Sequence, residues 1–308
     1  MAETFFKEVQ MCRKILLVLL ILVVTAGSLS AQSVDIPERK RNNIIVASYN
    51  IKWLGEWPHE YDSLAAVIQH FDVCGILEVT DEDGLPPLIE ALEDKTGRDW
   101  GYVYGIRTHR PGGSYQEAYA AVWRRDRVEL GDGVVSGIWD WEEAFRNDPF
   151  IVSFKRRNFD FNLLLIHTRW SSDTCGTRAG EVATIAKQIN WMRTFLQERD
   201  IILAGDFNYS GSSDAMIAMA DSAGLTQIDP NHKSTFKADY SDYASSYDHM
   251  YIDSTETTEY VTGSCQTMDA TEIVYGDNSE ASMQASKREL SDHLPVWAEF
   301  KVAGADDD

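Results

Sequence analysis

The segment IIVASYN, residues 44–50, combines β-branched residues with a polar end and predicts a buried strand. It is followed by YDSLAAVIQHF (61–71), whose apolar residues recur at helical spacing, and by VCGILEV (73–79), which again has the composition of a strand. A strand–helix–strand unit of this kind predicts an α/β fold, in which helices cover the faces of a sheet.

The same alternation returns in the second half of the chain. FIVSFK (150–155) and FNLLLIHT (161–168) are predicted to pair across a turn, residues 178–198 form the longest helical pattern, and IILAGDFN (201–208) returns to a strand. Two such groups predict a two-sheet α/β sandwich with helices on the outer faces. No internal repeat or long linker divides residues 44–302, which we interpret as one catalytic domain.

The N-terminal segment differs in composition from the rest. Arg13 and Lys14 precede an apolar run at 15–24, and small residues follow as far as Ala31. This order predicts a signal peptide at 1–31, with Met11 as an alternative start, and a secreted protein, extracellular or periplasmic. About ten apolar residues are too few for a transmembrane helix. A short linker at 32–43 and a disordered acidic tail at 303–308 would flank the domain.

Charge and cysteine content restrict the function further. The 308 residues carry a formal net charge of −21, which disfavours tight, non-specific binding to nucleic acid. An acidic enzyme can still meet phosphate through a divalent cation. Cys74 lies in an apolar strand and is expected in the core. Cys175 and Cys265 lie in polar stretches, and the sequence leaves open whether they pair.

Acids, amides and histidines stand where the predicted strands end. Each motif alone has an ordinary structural explanation, such as a turn after a strand. Together they predict a site for a hard cation, since oxygen ligands suit Mg²⁺; Mn²⁺ is an alternative, and Ca²⁺ stays open as a structural ion. The residues concerned are Asn50, Glu78, His167, Asp206, Asn208, Asp248, Asp292 and His293.

The motif order resembles the endonuclease/exonuclease/phosphatase superfamily, and within it the deoxyribonuclease I branch. The segments GDFN (205–208) and SDHLPV (291–296) carry the superfamily resemblance. SYQEAYAAVWR (114–124) is similar to the branch's tyrosine–any–glutamate–any–tyrosine strand, and LLIHTRW (164–170) to its catalytic histidine strand. The resemblance implies a deoxyribonuclease I-like fold and hydrolysis of phosphodiesters.

The resemblance also implies roles for the polar residues. Asn50, Glu78 and Asp292 would hold or position the metal. Asp206 and Asn208 would orient the attacking water and the scissile phosphate.

Two histidines complete the implied catalytic set. Glu117 would hydrogen-bond His167, and Asp248 would do the same for His293. The histidines would share the general acid and base work, and the sequence leaves open which does which.

The sequence departs from the branch at a position that contacts the DNA groove. An arginine expected two residues after Glu78 is replaced by Thr80 within the acidic stretch EVTDED. Tyr115 matches the branch's groove-stacking tyrosine. We hypothesise that the loop GIRTHRPGG supplies the missing phosphate contacts through Arg107 and Arg110, with Arg169 as a further substrate contact.

These observations predict a secreted, metal-dependent DNA endonuclease that binds DNA transiently and acts as a monomer without a stable protein partner. The alternative is a lipid phosphodiesterase or a phosphatase of the same superfamily, either sphingomyelinase-like or phosphoinositide-type. A catalytically dead binding module ranks last, because no histidine or metal ligand is lost.

Overall fold

The protein is described by a computed structural model over residues 36–105, 116–138, 144–170, 177–194 and 196–304. In chain order its strands are β1 (Asn43–Leu54), β2 (Val73–Val79), β3 (Trp100–Tyr104), β4 (Ala118–Arg124), β5 (Glu129–Gly137), β6 (Phe150–Arg156), β7 (Phe159–His167), β8 (Ile201–Asp206), β9 (Thr226–Gln227), β10 (Asp248–Ile252), β11 (Gln266–Thr267) and β12 (Val296–Lys301). The helices are α1 (Tyr61–Ile68), α2 (Leu85–Thr96), α3 (Arg178–Met192), α4 (Asp214–Ala223), α5 (Ala270–Tyr275) and α6 (Glu280–Glu289).

The strands form two sheets of matching design. The first has the order β11-β12-β1-β2-β4-β3 and the second β5-β6-β7-β8-β10-β9. Each sheet has one central parallel pair, β1 with β2 and β7 with β8, and its other pairings are antiparallel.

The two sheets pack face to face through apolar side chains. Val46 and Leu77 of the first sheet lie in the same buried cluster as Leu163 and Ala204 of the second. Gly75 marks the closest approach, because a Cβ atom at this position would overlap the side chain of Leu165.

Helices cover both outer faces. α1, α2 and α5 contribute Leu64, Leu88 and Ala270 to the cluster over the first sheet. α3 and α4 contribute Ile185 and Met216 to the cluster over the second sheet. The predicted two-sheet α/β sandwich with outer helices is therefore confirmed.

Strand direction brings the polar strand ends to one edge. β1 and β2 run parallel, and antiparallel β4 begins where β2 ends, with Ala118 opposite Val79. In the second sheet β7 and β8 end together, with His167 opposite Asp206, and β10 begins there with Asp248 opposite Asp206.

The helical predictions need two corrections. α3 ends at Met192 rather than at 198, and α4, α5 and α6 were not predicted. Cys74 is buried as expected, and Cys265 is a buried free thiol. Cys175, the predicted signal peptide and most of the acidic tail lie outside the described residues. Within the described part, no helix has the length and apolar character needed to cross a membrane.

Candidate active site

Glu117 and His167 form the first histidine–carboxylate pair of the site. Glu117 lies just before β4, is 1% exposed, and its Oε1 is 2.6 Å from His167 Nδ1 at the end of β7. The Asn147 amide donates to the same carboxylate oxygen. The Tyr119 hydroxyl accepts from the His167 backbone N–H at 2.8 Å. The predicted hydrogen bond is present, and it holds the imidazole with Nε2 toward the cleft.

Asp248 and His293 form a second pair. His293 Nδ1 lies 2.8 Å from Asp248 Oδ2, and the Ser234 hydroxyl donates to that same oxygen at 2.6 Å. The Ser291 hydroxyl accepts from the His293 N–H and donates to the Asn50 carbonyl at 2.6 Å, which ties the loop before β12 to β1. Each pair joins one sheet to the other.

Both imidazoles favour their protonated forms. Burial lowers the pKa of His167, but the charge of Glu117 and its hydrogen bond outweigh burial and raise that pKa to about 10. Burial acts in the same direction on His293, where the charges of Asp248 and Asp206 outweigh it and hold the pKa well above its ordinary value. The arrangement thus provides two cationic groups facing one cleft.

Asp206 lies between the two imidazoles. Its Oδ2 is 3.6 Å from Nε2 of both His167 and His293, and its Oδ1 accepts from the Asn208 N–H at 2.8 Å. Gly205, with φ of 147°, precedes it, and a side chain there would collide with the carbonyl of Ile166 in the neighbouring strand. The strand end is therefore shaped to place a carboxylate between two bases.

Asn208 completes this strand end. It adopts a left-handed φ of 51°, a conformation that asparagine tolerates better than most residues. Its amide donates to the Thr168 carbonyl at 2.8 Å, so the end of β8 is fixed to the segment after β7.

The oxygen donors of the site fit a hard divalent cation. Asn50 Nδ2 lies 2.9 Å from Glu78 Oε1 and 3.2 Å from Asp206 Oδ2, which brings these carboxylates together from different sheets. Burial raises the pKa of both acids, and a neighbouring carboxylate, Glu117 beside Glu78 and Asp248 beside Asp206, raises it further. Asp292 also lines the cleft. In the observed orientation the Asn50 amide positions the acids.

Two clusters meet the geometric requirement for a cation. They are Glu78, Glu117 and His167 in one group and Asp206, Asp248 and His293 in the other. The mainly carboxylate donor set fits Mg²⁺ or Mn²⁺ better than a soft metal.

A family model described as Endonuclease/Exonuclease/phosphatase family matches residues 47–293. The chain belongs to this family. It is therefore a hydrolase of the phosphodiesterase and phosphatase superfamily, whose members depend on divalent metals.

Two proteins are similar to this chain in sequence, and a solved structure is similar in fold. The chain is 27% identical to a deoxyribonuclease of Thioalkalivibrio sp. (strain K90mix) over 276 residues, 86% of this chain and 73% of that protein. It is 24% identical to human deoxyribonuclease gamma over 174 residues, 53% of this chain and 55% of that protein. The solved structure of a mannosyl-6-phosphatase of Bacteroides thetaiotaomicron has a similar fold, with 19% identity, a TM-score of 0.55, and coverage of 83% of this chain and 98% of that one.

Arg169, which is predicted as a substrate contact, lines the cleft but is almost fully buried. Its guanidinium is buried and lies 2.9 Å from Glu181 of α3, whose carboxylate also accepts the Arg169 backbone N–H. A side chain held in this way anchors the segment after His167, and its contact with a substrate stays a prediction. Arg107, Arg110 and Tyr115 lie outside the described residues, so their predicted roles stay predictions.

Thr80 differs from the groove arginine that the family resemblance leads one to expect. It is 1% exposed, and its hydroxyl donates to the Leu54 carbonyl at 3.0 Å. This position therefore serves the fold and does not reach a substrate.

The cleft also contains residues that the sequence did not assign to the catalytic site. It has a volume of about 510 Å³. Its additional lining includes three cations and three aromatic residues: Lys52, Arg146, Lys287, Trp53, Trp170 and Tyr247. Lys52 and Trp53 directly follow the Asn50 motif, and Trp170 follows His167 by three positions, so proximity to these motifs was the available signal.

A buried histidine supports the cleft from behind. His249 Nδ1 lies 3.0 Å from Asp229 Oδ2, and its Nε2 lies 2.8 Å from the Tyr209 carbonyl and 3.1 Å from the Ser246 carbonyl. Both ring nitrogens thus face acceptors, which favours the protonated imidazole. His249 connects the loop after Asn208 to the loop before Asp248.

Proposed function

We propose that the protein is a secreted, divalent-metal-dependent endonuclease that hydrolyses DNA phosphodiester bonds. The observation that carries the proposal is the pair of carboxylate-supported imidazoles, with both Nε2 atoms 3.6 Å from Asp206 Oδ2. Two proton-transfer groups on either side of one carboxylate suit the displacement of an alkoxide by water at phosphorus. The similarity to a protein named deoxyribonuclease, over 86% of this chain, supports DNA as the substrate.

The roles of the chain's own residues follow from their positions. Asp206 and Asn208 orient the water and the phosphate, since both side chains are held rigidly at the end of β8. One imidazole, after it has released its own Nε2 proton to solvent, accepts the water proton, and the other, still protonated, donates a proton to the leaving oxygen. Glu117 and Asp248 keep Nδ1 protonated on each ring, so Nε2 exchanges the proton.

A divalent cation held by Glu78 and Asp292, with Asn50 positioning them, would stabilise the negative charge that develops on the phosphoryl oxygens. Mg²⁺ is the proposed ion, with Mn²⁺ as an alternative.

The charge around the cleft supports a phosphate substrate. Lys52, Arg146 and Lys287 line it, although the chain as a whole carries a net charge of −21. Local cations in an acidic protein direct an anionic ligand to the site without promoting binding elsewhere. Export is proposed from the composition of residues 1–31.

A substrate panel tests the proposal. The mature protein is incubated with supercoiled plasmid, RNA, sphingomyelin and inositol phosphates, each with Mg²⁺ and with a chelator. We expect nicking of the plasmid that the chelator abolishes. Hydrolysis of sphingomyelin or of inositol phosphates without cleavage of DNA would replace the proposal by its lipid or phosphatase alternative.

Matched variants test the site. His167→Ala and His293→Ala are each expected to abolish plasmid nicking, whereas His232→Ala, which removes an exposed histidine outside the cleft, should leave it unchanged. Circular dichroism should show the same fold for all three. Full activity of either cleft variant would contradict the assigned roles.

A further inference from the structure

The cleft has an exposed indole on each side, and each is supported by a cation and a second aromatic ring. Trp53 follows Asn50 on the first sheet's side and is 40% exposed; its ring lies 5.7 Å from that of Trp57. Lys52 Nζ lies 3.9 Å from the centre of the Trp57 ring.

Trp170, on the second sheet's side, is 61% exposed. It meets Tyr247 edge-on at 5.6 Å, and the Arg178 guanidinium lies 5.9 Å from its ring. Arg178 also lies 4.2 Å from the ring of Tyr209 and donates to the Asn208 carbonyl. Both indoles line the same cleft as the catalytic histidines.

The backbone at Lys52 and Trp53 adopts a conformation that residues with a side chain rarely adopt. Lys52 and Trp53 are successive residues with left-handed φ angles of 60° and 56°. This conformation is unfavourable for a bulky side chain and persists only where its surroundings fix it. Here Trp57 Nε1 donates to the Arg288 carbonyl at 2.7 Å, and His59 Nε2 lies 3.0 Å from the Lys52 carbonyl. Folding thus maintains a strained strand end that leaves a large aromatic ring 40% exposed at the cleft, which indicates a ligand-binding role.

Within the described residues, the segment 79–84 that follows Glu78 has no cation to contact the phosphates of a double helix. Thr80 is buried under Leu54, and the surrounding stretch is acidic. A net charge of −21 weakens affinity for the DNA backbone alone, so a contribution independent of charge is needed. Stacking of nucleobases on aromatic rings is such a contribution, and only an unpaired base has a free face.

We propose that Trp53 and Trp170 stack against unpaired bases on either side of the scissile phosphate, and that the preferred substrate is single-stranded DNA. The inference rests on the proposed function. Arg178 and Lys52 hold the aromatic groups in place and add positive charge beside the strand.

Kinetics on paired and unpaired substrates test the inference. For one oligonucleotide sequence, we expect kcat/KM to be at least about tenfold higher as a single strand than as a duplex. Trp170→Ala and Trp53→Ala should each raise KM for the single strand roughly tenfold, with kcat changed less than about twofold. Trp170→Phe should restore most of the affinity, because it retains a stacking face.

Trp191→Ala is the matched control, since Trp191 is a 38% exposed tryptophan of α3 that does not line the cleft. It should leave both KM and kcat unchanged.

A substrate with abasic sites flanking the cleavage point separates stacking from other effects. For the wild type, KM should be higher on the abasic strand than on the intact strand. The increase should be about as large as the increase that each tryptophan variant shows on the intact strand. Trp170→Ala on the abasic strand should show no further loss, because the two changes remove the same contact. Additive losses would overturn the inference.

The two proposals fail in distinguishable ways. Cleavage of the single strand that the tryptophan variants do not alter would overturn the stacking inference and leave the endonuclease intact. A wild-type protein that cleaves no DNA would overturn the proposed endonuclease function. Fluorescence anisotropy with a labelled single strand, in the presence of chelator, would then test base stacking alone. Absence of binding in that measurement would overturn the stacking inference. Loss of binding to vesicles of phosphatidylcholine and sphingomyelin in the variants, with unchanged binding of DNA, would assign the indoles to a lipid surface.

Discussion

Replacement of Glu181 by alanine should destabilise the protein strongly. The Glu181 carboxylate is fully buried and accepts three hydrogen bonds, from Arg169 Nε at 2.9 Å, from the Arg169 N–H at 2.6 Å and from the Arg146 N–H at 2.5 Å. Its loss leaves the Arg169 guanidinium buried and two backbone donors without this acceptor. The Arg169 side chain is itself only 1% exposed, so water cannot take the place of the carboxylate.

The expected cost is about 3–5 kcal/mol in the free energy of unfolding, the range for removing one member of a buried ion pair. In a domain of this size each kcal/mol lowers the melting temperature by about 2–4 °C, so Glu181→Ala should melt roughly 6–20 °C lower. Chemical denaturation followed by circular dichroism measures the free energy directly. Glu90→Ala, at an exposed position of α2, should change it by less than about 0.5 kcal/mol.

A double variant checks the mechanism. Glu181→Met removes the buried carboxylate that faces Arg169, whereas Arg169→Met together with Glu181→Met removes both charges and should recover at least about 1 kcal/mol of the loss. A cost below about 1 kcal/mol for Glu181→Ala, or a double variant as unstable as the sum of its parts, would refute this account of Arg169.

Three further outcomes are expected. Glu117→Gln should lower kcat for DNA roughly 10²–10⁴-fold by removing the charge that supports the His167 imidazolium, and an unchanged kcat would contradict that role. The bond to Asp229 outweighs burial and raises the pKa of His249 above 6.5, while His249 outweighs burial at Asp229 and lowers its pKa below 3.8. The pair's contribution to the free energy of unfolding, measured against His249→Leu, should therefore be largest between pH 3.8 and pH 6.5. It should decrease as pH rises through the raised pKa of the histidine, and also as pH falls through the lowered pKa of the aspartate. A stability difference that does not depend on pH would refute the pair. Gly205→Ala should destabilise by more than about 2 kcal/mol in thermal unfolding, because its Cβ would meet a backbone carbonyl at a φ that alanine rarely adopts; a melting temperature equal to that of the wild type would contradict this.

The architecture and the polar strand ends could be predicted because both depend on local pattern. β1, β2, β7 and β8 are apolar runs that end in polar residues, and parallel neighbours bring such ends together. A carboxylate at the entry to a buried strand needs a compensating group, and the family resemblance supplied His167 as the partner of Glu117.

The remaining features depend on contacts between distant residues. α6 is mostly polar and buries only Met283 and Ser286, so its sequence has little apolar periodicity. Asn147 contacts Glu117 from a loop 30 residues further along the chain, and no local sequence pattern predicts that contact. Arg169 resembles a surface arginine beside a catalytic histidine until Glu181, twelve residues later, is seen to face it.

Each histidine of the site takes its carboxylate from the opposite sheet. Glu117 precedes a strand of the first sheet and holds His167 of the second, while Asp248 of the second sheet holds His293 beside the first. Neither half of the sandwich contains a working acid–base pair of its own. The two pairs cross the interface in opposite senses, so sliding one sheet against the other by a single residue would disconnect both at once. In the proposed mechanism, hydrolysis therefore requires that the two sheets are docked in register. A chain whose sheets have not yet docked would have no hydrolytic activity.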